Sequence, residues 1–564
     1  MNKPIYVLGT GLSHNGSAVL LKDGKVCVGI EKERISRKKH DGGNDTLAIT
    51  YCLEAEGIQI EDVAIVVQCA NLDIPNRNQF SGKRIFANTN SPKVIDISHH
   101  LAHAYSAVGT SPFTECAVMV IDGCGSPLDQ FLSIHPEQKS FLDPSFLEEK
   151  EMLCEKDSFY YFDGQKLLPV VKDFSPMSQQ SSVFSLPTTQ HSIGGFYSTI
   201  SKYVFGDMDD VGKLMGLAPY GQSGIYNFEA FTFSSGRMFV SDNWQRHFTN
   251  PSSDYDCFKA NFQYYANVAK WAQEQVEKAV LQCITTRIKD FPHSNLCYTG
   301  GVALNAVANA KLEDLNIVEA IHFEPAAGDN GLALGCAFYG WLAYLNKPKV
   351  EHDRSTCFGK KYSQEYIDDI LNQNDCENYK SIKFSSDKEL LAHCALKLQE
   401  GKTIAWFQSE SEFGPRSLGR RSILAHPGID HLKDHINSAI KFREDFRPFA
   451  PAVLLDKVSE YFEKGRISPY MILVDKTREE YKETLKNVTH KDGSARVQTV
   501  DKSWNPKFYD LIKHFEDLSG IAVLLNTSLN RRGMPIVETP YEAIQLFKET
   551  ALDILVMENS LLEK

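Results

Sequence analysis

A chain of 564 residues, 42% hydrophobic and 23% charged, has the composition of a globular protein of two to four domains with a large core. Its net charge of -12 argues against a general nucleic-acid or anionic-membrane binder. No apolar run reaches the length of a membrane span. The opening "MNKPIYVLGTG" does not read as a secretory signal, and thirteen cysteines without a C-x-x-C pair read as a reduced, cytoplasmic protein.

The chain opens with three short strands, "IYVLG", "SAVLL" and "KVCVGI". The last two are joined through Asp23-Gly24, a pair suited to a tight hairpin. "NDTLAITYCLEAEG" has helical spacing and a stop at Gly57. "VAIVVQ", "KVIDI" and "ECAVMVIDGCGS" are further strands, the last ending in a glycine turn. Residues 135–290 mix aromatic, Ser/Gln-rich and helical stretches, and end in one long amphipathic helix, "FQYYANVAKWAQEQVEKAVLQCITTRI". "NLCYTGGVALNAVANAKL" reads as strand, glycine turn and helix. "FEPAAGDNGLALGCAFYGWLAY" reads as a loop feeding a helix. Residues 346–360 read as a linker. Beyond it, "DKELLAHCALKLQEG" is helical, and "TIAWFQ", "FAPAVLL" and "IAVLLNTS" are strands. The organisation is α/β, in two domains, 1–350 and 360–564.

Three histidines stand in "DISHHLAHAYSA". His99 and His103 lie one helical turn apart on one face, a spacing that holds one divalent metal; ordinary polarity at a helix start is the competing reading. Asp122 closes an apolar strand before Gly123 and Gly125. Gly300 and Gly301 precede a helix, and Asp329 stands at another loop-to-helix junction. Each is compatible with a cap or turn. Together they form the strand-end, helix-start arrangement where α/β folds bind anions. From Phe413 to Phe449, Arg416, Arg420, Arg421, Lys433, Lys441, Arg443 and Arg447 face four acidic residues, a local charge of +3 in an acidic chain. Arg416 and Arg447 sit among Gly, Pro and Phe, unlike a solvated helix face.

The ordered set "SHNGSAVLL", "EKERISRKKHDGG", "SHHLAHAYSA", "VIDGCGS", "GKLMGLAPYG", "TGGVALN", "EPAAGDNG", "FGPRSLGRRSILAHP", "KFREDFRPFAPAVL", "SARVQTV" and "LLNTSLNRRGMPIVETP" resembles the O-carbamoyltransferases of natural-product biosynthesis. That family includes tobramycin, cephamycin and nodulation-factor carbamoyltransferases. The resemblance implies an actin-like (duplicated RNase H-like) first domain that transfers the carbamoyl group. It implies a second domain similar to threonylcarbamoyl-adenylate synthases, forming carbamoyl-adenylate from carbamoyl phosphate and Mg(II)-bound ATP. It assigns Fe(II) or a similar metal to His99, His103, Asp122 and Asp329, with His100 beside them. It assigns nucleotide contacts to Gly123, Gly125, Gly300, Gly301 and Asn305, and a ribose contact to Asp210, with Asp209 as the alternative.

His14 is the implied base, against the reading of a turn histidine. The family places Asp directly after it, where this chain has Asn15. Lys39 is assigned to phosphate or carbamoyl oxygens, with a solvated basic loop as the alternative. In the second domain Arg416, Lys441, Arg447 and Arg496 are assigned to phosphate or carbamoyl binding, and Asn526 and Ser528 to nucleotide phosphates or magnesium. Arg420 and Arg421 share that assignment, one of them as a brace of the fold. Asn530–Gly533 reads as a turn. The implied partners are a small hydroxylated acceptor, ATP and carbamoyl phosphate, without nucleic acid or membrane and with room for a homodimer. Two other readings are carbamoyl or threonylcarbamoyl transfer to RNA or protein, and a non-catalytic actin-like nucleotide-binding module.

Overall fold

The computed structural model describes residues 3–69, 92–177, 183–374 and 376–564. The chain divides into two compact units, 1–32 with 42–352, and 33–41 with 353–564. The break at 352/353 falls inside the expected linker. The expected first domain, 1–350, is interrupted, because Glu33–Asp41 belongs to the second unit. Two arginines of that segment bond within the second unit. Buried Arg34 donates from Nη2 to the Gly414 carbonyl at 2.7 Å. Arg37 donates to the carbonyls of Ile536 and Pro535 at 2.8 and 2.9 Å and faces Glu542 at 3.3 Å.

In the first unit, β1 (Tyr6–Gly11), β2 (Ser17–Lys22) and β3 (Lys25–Glu31) form an antiparallel meander. Its second hairpin, β2–β3, turns through Asp23 and Gly24, at φ 51° and 83°. β4 (Val63–Cys69) and β5 (Lys93–Asp96) add in parallel, giving the order β3-β2-β1-β4-β5. A second sheet repeats this plan. β6 (Cys116–Ile121), β7 (Leu153–Phe162) and β8 (Leu167–Pro176) are its meander. A separate hairpin, β9 (Phe231–Ser234) and β10 (Arg237–Val240), precedes the parallel strands β11 (Asn295–Thr299) and β12 (Ala320–Phe323). The order is β8-β7-β6-β11-β12. One strand order used twice is the duplicated RNase H-like, actin-like architecture that the resemblance implied.

The β7–β8 hairpin does not show in the sequence pattern, because its buried positions carry charge. Lys172 pairs with Glu155, Lys156 with Asp173 at 2.7 Å, and Arg287 with Asp157 at 3.7 Å, every partner buried. The aromatics of "FYYFDG" and "GGFYSTI" are largely core: Phe159, Tyr160, Phe162 and Phe196 are buried.

These buried groups set an acid limit. Burial holds His191 down to about 4, and Lys172, against the effect of burial, holds Glu155 at about 2. Unfolded, each group takes up its proton at a higher pH, so folding loses stability as pH falls. Urea-unfolding midpoints should drop from pH 6.5 towards 4 as His191 charges, by an amount on the order of 3 kcal/mol at most. They should drop again from 4.5 towards 2 as Glu155 is neutralised. His191→Asn should lessen the upper step, to which the buried His100 also contributes.

Two buried helices carry the first unit's polar centre, His99–Thr110 and Leu332–Tyr339. They touch backbone to backbone at Gly335, where a Cβ would stand 1.7 Å from the Ala102 carbonyl oxygen. That close approach fixes how near the start of one helix comes to the start of the other.

The second unit is an eight-stranded mixed sheet in the order β13-β22-β21-β14-β15-β20-β16-β19. Its strands are β13 (Lys380–Lys383), β14 (Ile404–Phe407), β15 (Arg421–Ala425), β16 (Ala450–Leu454), β19 (Gln498–Val500), β20 (Val523–Ser528), β21 (Ile554–Met557) and β22 (Ser560–Glu563). A two-stranded ribbon, β17 (Val474–Lys476) with β18 (Ser494–Arg496), stands apart. Trp406, Leu424 and Phe515 lie in this unit's core. Among the described residues no helix is long and apolar enough to cross a membrane.

Candidate functional site

The first unit gathers four side chains from four places in the sequence. His99 and His103 come from the first turns of their helix, Asp122 from the end of β6, and Asp329 from the turn that starts the Leu332–Tyr339 helix. One donor atom from each lies within 4.8 Å of every other. The two imidazole Nε2 atoms are 3.2 Å apart. His99 Nε2 is 3.0 Å from Asp122 Oδ2 and 3.5 Å from Asp329 Oδ1; His103 Nε2 is 3.8 Å from both. Ligands about 2.1 Å from one cation lie about 3–3.5 Å from each other. Two imidazoles and two carboxylates at these separations therefore fit a single divalent ion of the iron, manganese or zinc type.

Electrostatics agree with that fit. Burial would raise both carboxyls, but the His99 hydrogen bond and the His103 ring hold Asp122 well below the usual range, and His99 and His14 do so for Asp329. Burial would lower His99, yet Asp329 and Asp122 hold it well above the usual histidine range. Proton and metal compete for the same nitrogen.

His14 joins this cluster. Its Nδ1 is 3.1 Å from Asp329 Oδ2 and its Nε2 is 3.2 Å from Asn15 Nδ2. The ring is half-exposed, and although burial pulls it down, Asp329 raises it to about 9. Lys39 is exposed and belongs to the second unit, so the two residues grouped as catalytic fall in different units.

The glycines divide by role. The side of Gly123 that a Cβ would occupy is open, whereas at Gly125 a Cβ would stand 2.7 Å from the His100 ring. Gly301 donates its N–H to Asp122 Oδ1 at 2.9 Å. Gly300 has φ 91°, and a Cβ there would stand 2.3 Å from the Ile121 carbonyl oxygen. Gly300→Ala should therefore cost about 3 kcal/mol or more, visible as a lowered urea midpoint.

Asn305 caps the Ala306–Asp314 helix through Ala308 N and exchanges hydrogen bonds with Gln273, so its amide is engaged within the fold. Asp210 is paired with Lys213 at 2.5 Å. The negative charge of Asp209 acts on His14. Two neighbours of the Asp122–Gly123 turn were missed: Ser192 donates to the Gly123 carbonyl at 2.7 Å, and Gly194 lies against Gly123. The signal was "HSIGGF", a Ser cap followed by paired glycines, the same junction already noted at Gly300.

The second unit holds a different centre. Lys441, at the end of a π-helical turn, is buried and donates to Ser528 O at 2.6 Å, Ser528 Oγ at 3.2 Å and Asn530 Oδ1 at 2.6 Å. Burial, then Arg443 and Arg447, holds its ammonium well below the usual lysine range. Burial, then Arg416, Arg443 and Arg447, does the same to the Arg496 guanidinium, and burial with Arg447 lowers Arg416 to about 10. Five cations thus crowd together. Glu444 faces Arg447 at 3.8 Å and Arg532 at 3.3 Å. Asn526 donates to Gln498 Oε1 at 2.7 Å and to Ser417 O at 3.2 Å, leaving a buried Oδ1 without a partner.

Arg421 is the brace. Its guanidinium donates to the carbonyls of Gln408 and Ser409 and lies 3.6 Å over the Phe407 ring. Its donors are turned to carbonyls inside the fold, the bracing role expected of one of this arginine pair. Arg420 is partly buried beside it. Glu412 holds the loop by accepting from the amides of Leu418, Arg420 and Arg421. Arg532 and Gly533 form the expected turn.

Comparison with known proteins follows the same division. The family described as "Carbamoyltransferase N-terminus" matches residues 7–92 and 77–338, and "Carbamoyltransferase C-terminus" matches 395–564. An uncharacterized protein of Synechocystis is 30% identical over 99% of this chain and 97% of its own. Nodulation protein NolNO of Sinorhizobium fredii is 29% identical over 98% of this chain and 79% of its own. The 3'-hydroxymethylcephem-O-carbamoyltransferase of Amycolatopsis lactamdurans is 28% identical over 92% of both. Among solved structures, T.kodakarensis HypF overlaps with a TM-score of 0.39 at 15% identity, over 61% of this chain and 49% of that one; the fold follows from the strand order instead. With both halves matched and relatives that run its full length, the chain belongs to the carbamoyltransferase family and is an enzyme of that class.

Proposed function

We propose that the protein is an ATP-dependent O-carbamoyltransferase that modifies a hydroxyl group of a small natural product. The observation that carries this reading is the crowding of Arg416, Lys441, Arg443, Arg447 and Arg496 in the second unit. Such a cluster is costly unless an anion of several charges neutralises it. Carbamoyl phosphate and the ATP triphosphate are such anions. Loss of phosphate to water converts carbamoyl phosphate to carbamate. The carbamate oxygen then attacks the α-phosphorus of ATP and displaces pyrophosphate, leaving carbamoyl-adenylate. Arginine forks and the Lys441 ammonium stabilise the charge on the moving phosphates, and magnesium accompanies the triphosphate.

Transfer is assigned to the first unit, where the acceptor oxygen attacks the carbamoyl carbon and AMP leaves. His99, His103, Asp122 and Asp329 would hold a divalent metal, with Fe(II) the family expectation. When bound, the ion supplies Lewis-acid polarisation of a carbonyl. His14 supplies the base for the acceptor proton. Asp329 faces His14 as well as His99 and His103, and its charge favours the protonated His14 ring; were that carboxylate to hold a metal, less of its charge would act on His14 and the ring would accept a proton more readily. Asn15 donates to Nε2, where an aspartate would only accept, so it favours the neutral ring with a lone pair at that nitrogen. Gly123, Gly300 and Gly301 line the junction proposed for the nucleotide. The acceptor class rests on the relatives, one of which is named for carbamoylation of a hydroxymethyl group.

The test is direct. The protein is incubated with magnesium, ATP, carbamoyl phosphate and a panel of hydroxylated metabolites. The expected products are AMP, pyrophosphate, phosphate and an acceptor heavier by one carbamoyl group. ADP as the sole nucleotide product would contradict the reading.

A further inference from the structure

We infer that Glu155, a residue of β7 remote in sequence from every proposed ligand, is a positioning residue that sets the first unit's metal helix. This rests on the reading of His99, His103, Asp122 and Asp329 as a metal site. The His99–Thr110 helix starts at Ser98 without a side-chain cap of its own. A helix start leaves its first amides without internal partners, and something must accept from them. Here other elements do so. Ser98 N faces His135 Nε2 at 3.4 Å, His99 N donates to Ser126 Oγ at 3.0 Å, and His100 N donates to Glu155 Oε2 at 3.2 Å.

Glu155 organises more than its own contact. The same Oε2 accepts from Ser126 N at 3.0 Å, so it also places the hydroxyl that caps His99. Its backbone accepts from Gly125 at 2.9 Å and donates to the Ser126 carbonyl at 3.0 Å. The turn after Asp122 is thus clamped by side chain and main chain of one residue. Its other oxygen is held by Lys172, which also contacts the Tyr160 hydroxyl at 2.9 Å, and the pair is fully buried. A buried ion pair is weak evidence for stability. An anion at a helix start, by contrast, fixes that helix through its amides and its dipole. His100 completes the arrangement: its ring nitrogen Nδ1 is 2.8 Å from Ser158 Oγ on the same strand as Glu155.

Groups that orient metal ligands at one remove change metal affinity about 10–100-fold when lost. The experiment compares two full-length double variants, so that loss of the buried ion pair is common to both. Glu155→Gln with Lys172→Met keeps an acceptor for the two amides. Glu155→Leu with Lys172→Met removes it. Fe(II) and Co(II) affinities are measured by chelator competition, and the Co(II) visible spectrum reports the site's geometry. The expected result is an affinity about 10–100-fold weaker and an altered spectrum in the leucine variant alone. Equal affinities and spectra in the two variants would overturn the inference. Failure of the unaltered protein to bind either metal would count against the metal site itself, and thereby separates that failure from this one.

Discussion

Asp329→Ala should stop carbamoyl transfer while leaving the first half-reaction in place. Three functions meet on that carboxylate. It supplies one of four proposed ligand atoms, it lies 3.5 Å from His99 Nε2, and it accepts a hydrogen bond from His14 Nδ1 at 3.1 Å. Removing it should lower the rate of acceptor carbamoylation by about 10³-fold or more, the scale of a lost Lewis acid together with a misplaced base. Pyrophosphate release, assigned to the second unit, should continue. Bound metal should fall in step with transfer. Asp329→Asn serves as the control for shape, since it preserves volume and removes charge. Loss of pyrophosphate release in both variants would contradict the division of labour.

Arg496→Met should have the opposite profile, and it separates function from stability. The guanidinium is buried among Arg416, Arg443 and Arg447, and its ordinary pKa is pushed well down by burial first and by those like charges next. A cation in such company opposes folding. Replacing it with an apolar chain of similar length should leave stability unchanged or raise it by about 1 kcal/mol or more. Carbamoyl-phosphate-dependent pyrophosphate release should fall by about 10²–10³-fold, as for loss of one donor aimed at transition-state charge. A residue serving only to hold the fold would behave in reverse, with a lowered melting temperature and unchanged kinetics.

Much of the fold was legible because the chain signals its turns. Asp23-Gly24 marked the β2–β3 hairpin and Gly57 the end of the first long helix, and all three residues occupy the conformations those signals require. The His99–His103 spacing was legible as a shared helix face. What joined it to Asp122 and Asp329 was the family resemblance; the close helix contact at Gly335 behind that grouping is displayed only by the folded backbone.

The illegible parts share one physical cause. Glu155, Lys156, Asp157, Lys172 and Asp173 read as surface residues by type, yet their partners neutralise them inside a sheet. Arg420 and Arg421 are adjacent and alike in the sequence; only the carbonyls around Arg421 show that its guanidinium braces the loop. Lys39 follows a motif shared with the first unit's residues, while Arg34 and Arg37 tie that motif to the second. Asn305, where a nucleotide contact was expected, also caps a helix. In each case the side chain's type allowed two roles, and its hydrogen-bond partners chose between them.

The account depends on ATP being split between its α- and β-phosphates by a carbamate made on the same protein. Exchange of radiolabelled pyrophosphate into ATP measures that step alone, without an acceptor. The account predicts exchange that requires carbamoyl phosphate, persists in Asp329→Ala and disappears in Arg496→Met. Exchange that ignores carbamoyl phosphate, or no exchange while ADP accumulates, would contradict it.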